Sequence, residues 1–265
     1  MKNKLFVPVL VLLAALLAVT PALAITFGEL DGERHPNVGA LLVAWPYPGG
    51  PIDIVCSGTL ISPTVFLTAA HCVNWMPGDG IPADDVYVTF DSVYEIGVST
   101  IYPGTYFVNP NYWPNNSDVN DVAVIVLDEP IDWITPATLP TAGLLDEMKA
   151  AGALKGQEFV TVGYGTVRDD KTGGFHPNYW EGARRFTTGS FNALTPGWLK
   201  ISMNPSTGDG GTCYGDSGGP HFLGDSNLVV SVTVTGDAPC RATDDTYRLD
   251  IPSAREYLAQ FVDLP

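Results

Sequence analysis

The chain has 265 residues, 45% of them hydrophobic, with 28 glycines and 22 prolines. That is long enough for one large or two smaller cored domains and excludes a disordered or collagen-like chain. Thirteen Lys and Arg against 29 Asp and Glu give a net charge of −16, which repels a phosphate backbone and excludes nucleic acid as a partner.

Residues 1–24 read as a signal peptide: Lys2 and Lys4 are basic, residues 5–19 are apolar, and Ala22-Leu23-Ala24 has a small-x-small cleavage pattern. The apolar run contains Pro8, is shorter than the ~20 residues of a membrane-spanning helix, and has no second apolar segment behind it. The expectation is export as a secreted protein, with no membrane contact after cleavage. The mature chain is then 25–265, and loss of the two lysines takes its charge from −16 to −18. Outside the cytosol, four cysteines without a CxxC pair are expected to form two disulfides, and spacing alone leaves all three pairings open. His35, His71, His176 and His221 show neither HExxH nor HxxxH spacing, so no metal site is expected.

Short β-branched or aromatic runs follow at 40–43, 59–61, 65–68, 86–90, 122–127, 159–162 and 228–234. Turn clusters at 48–51, 77–80 and 115–118 separate them. Many short strands with frequent turns predict an antiparallel all-β sandwich or barrel. A short helix is predicted over 144–153. A second opens at the capping box Ser253-x-x-Glu256, with Ala254, Tyr257, Leu258 and Phe261 on one face. The Pro-rich stretch 130–140 is the best linker between two halves.

Three local patterns carry chemistry. Gly215-Asp216-Ser217-Gly218-Gly219-Pro220 sets a serine among glycines, where backbone N–H groups can approach a reacting carbonyl. Thr68-Ala69-Ala70-His71-Cys72 supplies a base directly after an apolar strand. Asp121 opens the apolar run 122–127 and can orient the imidazole, with Asp118 as the competing carboxylate.

At these residues the sequence resembles the trypsin/chymotrypsin-like serine peptidases, and the order His71, Asp121, Ser217 is that family's order. The resemblance implies two antiparallel Greek-key β-barrels, at about 25–135 and 136–252, with the cleft between them and a C-terminal helix at about 253–263. It implies a secreted serine endopeptidase using a Ser217–His71–Asp121 triad and an acyl-enzyme, with the N–H groups of Gly215 and Ser217 as the oxyanion hole. No cofactor or metal is needed. The implied partners are a protein or peptide substrate and a proteinaceous inhibitor. The alternatives are an inactive scaffold that binds a partner protein, or an esterase-like acyl hydrolase. The implied disulfides are Cys56–Cys72 and Cys213–Cys240. Ile25-Thr26-Phe27-Gly28 fits the family's activated N-terminus, so signal cleavage itself would free the Ile25 ammonium to pair with Asp216. Gly163-Tyr164-Gly165 resembles an early strand end of the second barrel. The sequence departs from the family's trypsins at the pocket base, where Gly211 stands in place of an aspartate. Asp245, counted back from Tyr247, falls near the opposite wall, so the pocket is read as either apolar or, through Asp245, selective for basic side chains.

Overall fold

The computed structural model describes residues 25–47, 49–167 and 180–265. The expectations for residues 1–24, for Pro48 in its turn cluster and for His176 lie outside these. Among the described residues no helix is long and apolar enough to cross a membrane.

After a two-residue strand β1 (Glu29–Leu30), six strands close the first barrel. They are β2 (Val38–Ala44), β3 (Ile52–Ser62), β4 (Val65–Thr68), β5 (Val86–Thr89), β6 (Tyr102–Val108) and β7 (Ala123–Leu127). Their order is β2-β3-β4-β7-β6-β5, and β2 pairs β5 to complete the ring. The second barrel has β8 (Glu158–Gly163), β9 (Arg185–Leu194), β10 (Trp198–Ser202), β11 (Pro220–Leu223), β12 (Val229–Gly236) and β13 (Thr243–Arg248). It closes because β8 pairs both β9 and β11, and β1 adds to the side of β9. All these pairings are antiparallel. Closure leaves each barrel without a free edge.

Alternation along the strands fills the interiors. Leu41, Val43, Leu60, Phe66, Val86, Val88 and Ile125 form the first core. Leu145, Leu154, Phe159, Leu199, Ile201 and Val230 form a core of the second. A third apolar cluster joins Leu67, Val122 and Val124 of the first barrel to Val160, Val162, Val232 and Tyr247 of the second. The barrels therefore share a buried seam, and the irregular stretch between β7 and the helix α1 (Leu144–Ala150) runs from one to the other. The helix α2 (Pro252–Leu258) caps this seam with Ala254, Tyr257 and Leu258.

Both helices stop earlier than their sequence patterns predict, at 150 and 258 instead of 153 and 263. The capping box does not form. Pro252, already suited to a first helical position, starts α2 one residue early with Ile251 as its cap. The Ser253 hydroxyl instead lies 3.0 Å from Tyr247 Oη.

A buried arginine holds the N-terminal segment to both barrels. Arg184 Nε donates to Asp31 Oδ2 at 2.8 Å, and its Nη1 donates to the carbonyls of Val38 and Phe90 at 3.0 and 2.9 Å. Nη2 reaches Gly32 O, and Nη1 also reaches Tyr164 Oη at 3.2 Å. Both Arg184 and Asp31 are buried, and the Arg184 and His35 contacts together hold the Asp31 carboxyl below its ordinary range despite burial. Breaking one side of such a buried pair strands the other charge. Arg184→Met should lower stability by about 3–5 kcal/mol, read as a shifted urea midpoint with unchanged slope; a midpoint equal to the parent's would show the clamp to be dispensable.

Candidate active site

The register of β4 against β7 brings together the two residues that follow and precede these strands. Thr68 pairs Ala123, so the turn at Ala70–Cys72 lands beside Asp121. The His71 backbone N–H donates to Asp121 Oδ1 at 2.8 Å, and His71 Nδ1 lies 2.8 Å from Asp121 Oδ2. Asp121 is buried, whereas the imidazole is 29% exposed. Asn120, just before it, takes a left-handed φ of 53°, which asparagine tolerates better than most residues. The competing carboxylate Asp118 is occupied, accepting from Tyr247 Oη at 2.6 Å. With Nδ1 held by a carboxylate, Nε2 is free to exchange a proton on the other side of the ring.

The Ser217 backbone comes close to this turn. Cys72 Sγ is 3.9 Å from His71 Nε2 and 3.7 Å from the Ser217 carbonyl oxygen. The Ser217 carbonyl also accepts from Ser57 N–H at 2.9 Å, and Ser57 Oγ donates to the Gly215 carbonyl at 3.0 Å. Ser57 lies on β3, so the first barrel braces the serine loop of the second. Cys56 is bonded to Cys72 and Cys213 to Cys240, which staples the histidine turn and the serine loop.

The carbonyl of Tyr214 accepts from Thr166 N–H at 2.7 Å, and that of Asp216 accepts from Gly219 N–H at 2.8 Å. In a trans peptide the following N–H points the opposite way, and no cis peptide occurs among the described residues. The N–H groups of Gly215 and Ser217 therefore turn away from these anchors, and neither donates to another group among the described residues. Two such donors can hold an oxyanion where they converge on one point. Gly218, at φ 78°, sits so close to β4 that a Cβ would fall 2.1 Å from Thr68 Oγ1.

Asp216 is fully buried, with Oδ1 accepting from Gly165 N–H and Oδ2 from Cys213 N–H, each at 2.8 Å. The carboxylate lies so tightly on Gly163 and Gly165 that a Cβ at either would come within 2.2–2.5 Å of it. No basic side chain pairs with it among the described residues. Burial, helped by the charge of Asp244, pushes its pKa up to about 7. Ile25 is buried as well, and Thr26 forms a bridge with Gly211.

A cavity of about 230 Å³ opens beside Ser217, lined by Thr212, Tyr214, Thr233, Val234, Asp237 and Ala238 among others. Its one carboxylate among the described residues, Asp237, already accepts from the N–H groups of Arg241, Ala242 and Thr243. Gly211 does not line it, because the Met203 side chain occupies the space in front of that glycine. Asp245 does not line it either. Strand alternation turns Asp244 and Thr246 inward and Asp245 away, to a 2.7 Å ion pair with Lys200 across β10. Ser57, Arg184 and Met203 carry no local signature, and Ser57-Gly58 in particular reads as an ordinary turn.

The trypsin family model matches residues 36–257. The chain belongs to the trypsin family of serine proteases. It is 32% identical to brachyurin of Leptuca pugilator over 232 residues, 81% of this chain and 94% of that protein. It is also 32% identical to vitamin K-dependent protein C of Rattus norvegicus, over 44% of this chain and 24% of that one. Among solved structures, HL collagenase superposes with a TM-score of 0.65 over 89% of this chain and 97% of the other, at 20% identity. This last likeness shows the fold, a pair of closed six-stranded antiparallel barrels. For a trypsin-family chain the buried Asp216 has a measurable signature. Its pKa is raised from 3.8 to about 7 in the uncut chain, so between these values the folded state binds more protons than the unfolded one and stability falls as pH rises. A form extended by Ala24 should lose thermal stability from pH 4 to pH 7, and Asp216→Asn should flatten that slope; a slope unchanged by the substitution would exclude Asp216 as its source.

Proposed function

We propose that the protein is a secreted serine endopeptidase working by acyl transfer through Ser217, His71 and Asp121. Ser217 Oγ attacks the peptide carbonyl, and His71 Nε2 takes its proton and later returns one to the leaving amine. Asp121 fixes the imidazole tautomer and stabilises its charged form. The N–H groups of Gly215 and Ser217 hold the oxyanion, each worth about 3–4 kcal/mol of activation free energy. A water then releases the acyl group by the same path. Family membership and the paired 2.8 Å contacts from His71 to Asp121 beside the serine loop support this reading.

Activation follows from Asp216. Cleavage after Ala24 creates an Ile25 ammonium, and its pairing with the buried carboxylate would supply a cation that Asp216 lacks among the described residues and fix the serine loop. A protein or peptide substrate follows from the family, with a proteinaceous inhibitor as a further partner. The 230 Å³ pocket, with Asp237 saturated and Asp245 turned away, favours an apolar or aromatic side chain before the scissile bond.

A fluorophosphonate probe tests the mechanism. Mature protein beginning at Ile25 should be labelled, Ser217→Ala should not, and Asp121→Asn should slow the reaction by about 10⁴. The labelled preparation should cleave a peptide library after Leu, Met, Phe or Tyr. No labelling of folded Ile25 material would refute the enzyme, and a dominant Arg or Lys preference would refute the neutral pocket.

A further inference from the structure

The two oxyanion donors are carried by different peptides. The Gly215 N–H lies in the peptide from Tyr214 to Gly215 and the Ser217 N–H in the peptide from Asp216 to Ser217, so the Gly215–Asp216 peptide stands between them. Each peptide is a rigid plane, and the donors meet at one point only when the backbone angles of Gly215 and Asp216 are fixed. Gly215, at a φ of 95°, has no Cβ to restrict it. Its backbone alone does not fix the middle peptide.

The orientation of that peptide is set at its two polar ends. Its N–H, that of Asp216, donates to the Cys213 carbonyl at 3.1 Å, a contact within the loop itself. Its carbonyl, that of Gly215, accepts from Ser57 Oγ at 3.0 Å. This second contact comes from outside the loop, from β3 of the first barrel.

The Ser57 hydroxyl has a fixed polarity. Ser57 is fully buried, and its Oγ accepts from Tyr164 N–H at 2.9 Å. A hydroxyl carries a single proton, which is thereby left for the Gly215 carbonyl. Tyr164 is itself buried and held, since its Oη donates to the Asp91 carbonyl at 2.8 Å and accepts from Arg184 Nη1 at 3.2 Å. A line of contacts thus runs from the Arg184 clamp through Tyr164 and Ser57 to the middle peptide. The Ser57 backbone N–H also donates to the Ser217 carbonyl at 2.9 Å, a bond that other residues at this position could make. The hold on Gly215 depends on the side chain.

We propose that Ser57 is a positioning residue for the oxyanion: its hydroxyl, oriented by Tyr164, fixes the Gly215–Asp216 peptide and so aims the N–H groups of Gly215 and Ser217 at one point. The inference deepens the peptidase reading above and rests on it. Ser57 acts through Gly215 and carries no charge, so it works alongside the Ile25 ammonium. Removing the hydroxyl leaves the buried Tyr164 N–H without its acceptor and the Gly215 carbonyl without its donor. The freed peptide can then turn, which draws the two N–H groups apart. Substrate binding through the side-chain pocket is unaffected, whereas the transition state loses its donors.

Ser57→Ala in the mature protein tests this, with Ser57→Gly as the second variant if the alanine form does not fold. On a peptide amide, kcat should fall about ten- to a hundredfold while KM stays within about twofold. Affinity for a peptide aldehyde, whose hemiacetal oxygen takes the place of the oxyanion, should weaken by the same factor, and the pH midpoint of kcat should not move. An unchanged kcat, or a rise in KM that accounts for the whole loss, would overturn the proposal. A second readout needs no turnover. Tyr-Gly pairs occur at 164–165 and 214–215 and nowhere else in the chain, so isotope labels on the tyrosine carbonyl carbon and the glycine nitrogen single out the Gly165 and Gly215 amides by NMR. In Ser217→Ala protein, adding Ser57→Ala should broaden or split the Gly215 resonance. A Gly215 resonance that stays single and unshifted would overturn the proposal even in a chain that turns over nothing. Parent protein that neither cleaves the amide nor takes a fluorophosphonate would instead count against the peptidase reading.

Discussion

A carboxylate sealed in the interior, with no cation beside it among the described residues, sets the terms for this structure. Asp216 is held by two backbone N–H groups and pressed against Gly163 and Gly165. Taking a charged carboxylate out of water costs several kcal/mol unless a partner offsets it. The peptide after Asp216 carries the Ser217 N–H, and the Gly215 N–H belongs to the residue immediately before Asp216. Whatever settles the charge of Asp216 thus settles the shape of the loop where chemistry would occur. A new N-terminus generated next to Gly211 would link export to activity through one ion pair, without a separate propeptide.

The first barrel contributes more than the histidine and the aspartate. Ser57 holds the serine loop at two carbonyls, Thr68 Oγ1 closes on Gly218, and the Cys56–Cys72 bond fixes the histidine turn. Arg184 then joins the N-terminal segment to both barrels. Each of these contacts crosses from one element to another far away in sequence. The site is consequently a property of the packed pair of barrels and of the apolar seam between them.

That dependence explains what could be read in the chain. His71, Asp121 and Ser217 stand in short local motifs whose residue types suit one chemistry, and strands such as β4 and β8 announce themselves by uninterrupted β-branched runs. Strand β6 hides behind Pro103-Gly104, and β13 behind the charged Thr243-Asp244-Asp245-Thr246, because neighbouring strands and not local propensity hold them. The placement of Asp245 depends on alternation within β13 and on the irregular register between β12 and β13, which the gapped sequence before Tyr247 does not reveal. Ser253 resembles a cap by its spacing, but the preceding proline and the Tyr247 hydroxyl decide otherwise.

The ionisation of the Ile25 amine reports most directly whether a cation reaches Asp216. A free α-amino group titrates near 7.7–8.0, whereas one paired with a buried carboxylate holds its proton to higher pH. The pH dependence of acetylation of Ile25 in the mature protein should place its pKa about two units above the free value, and fluorophosphonate labelling of Ser217 should fall with the same midpoint. An amine that titrates near 8 and can be acetylated without loss of labelling would contradict the account.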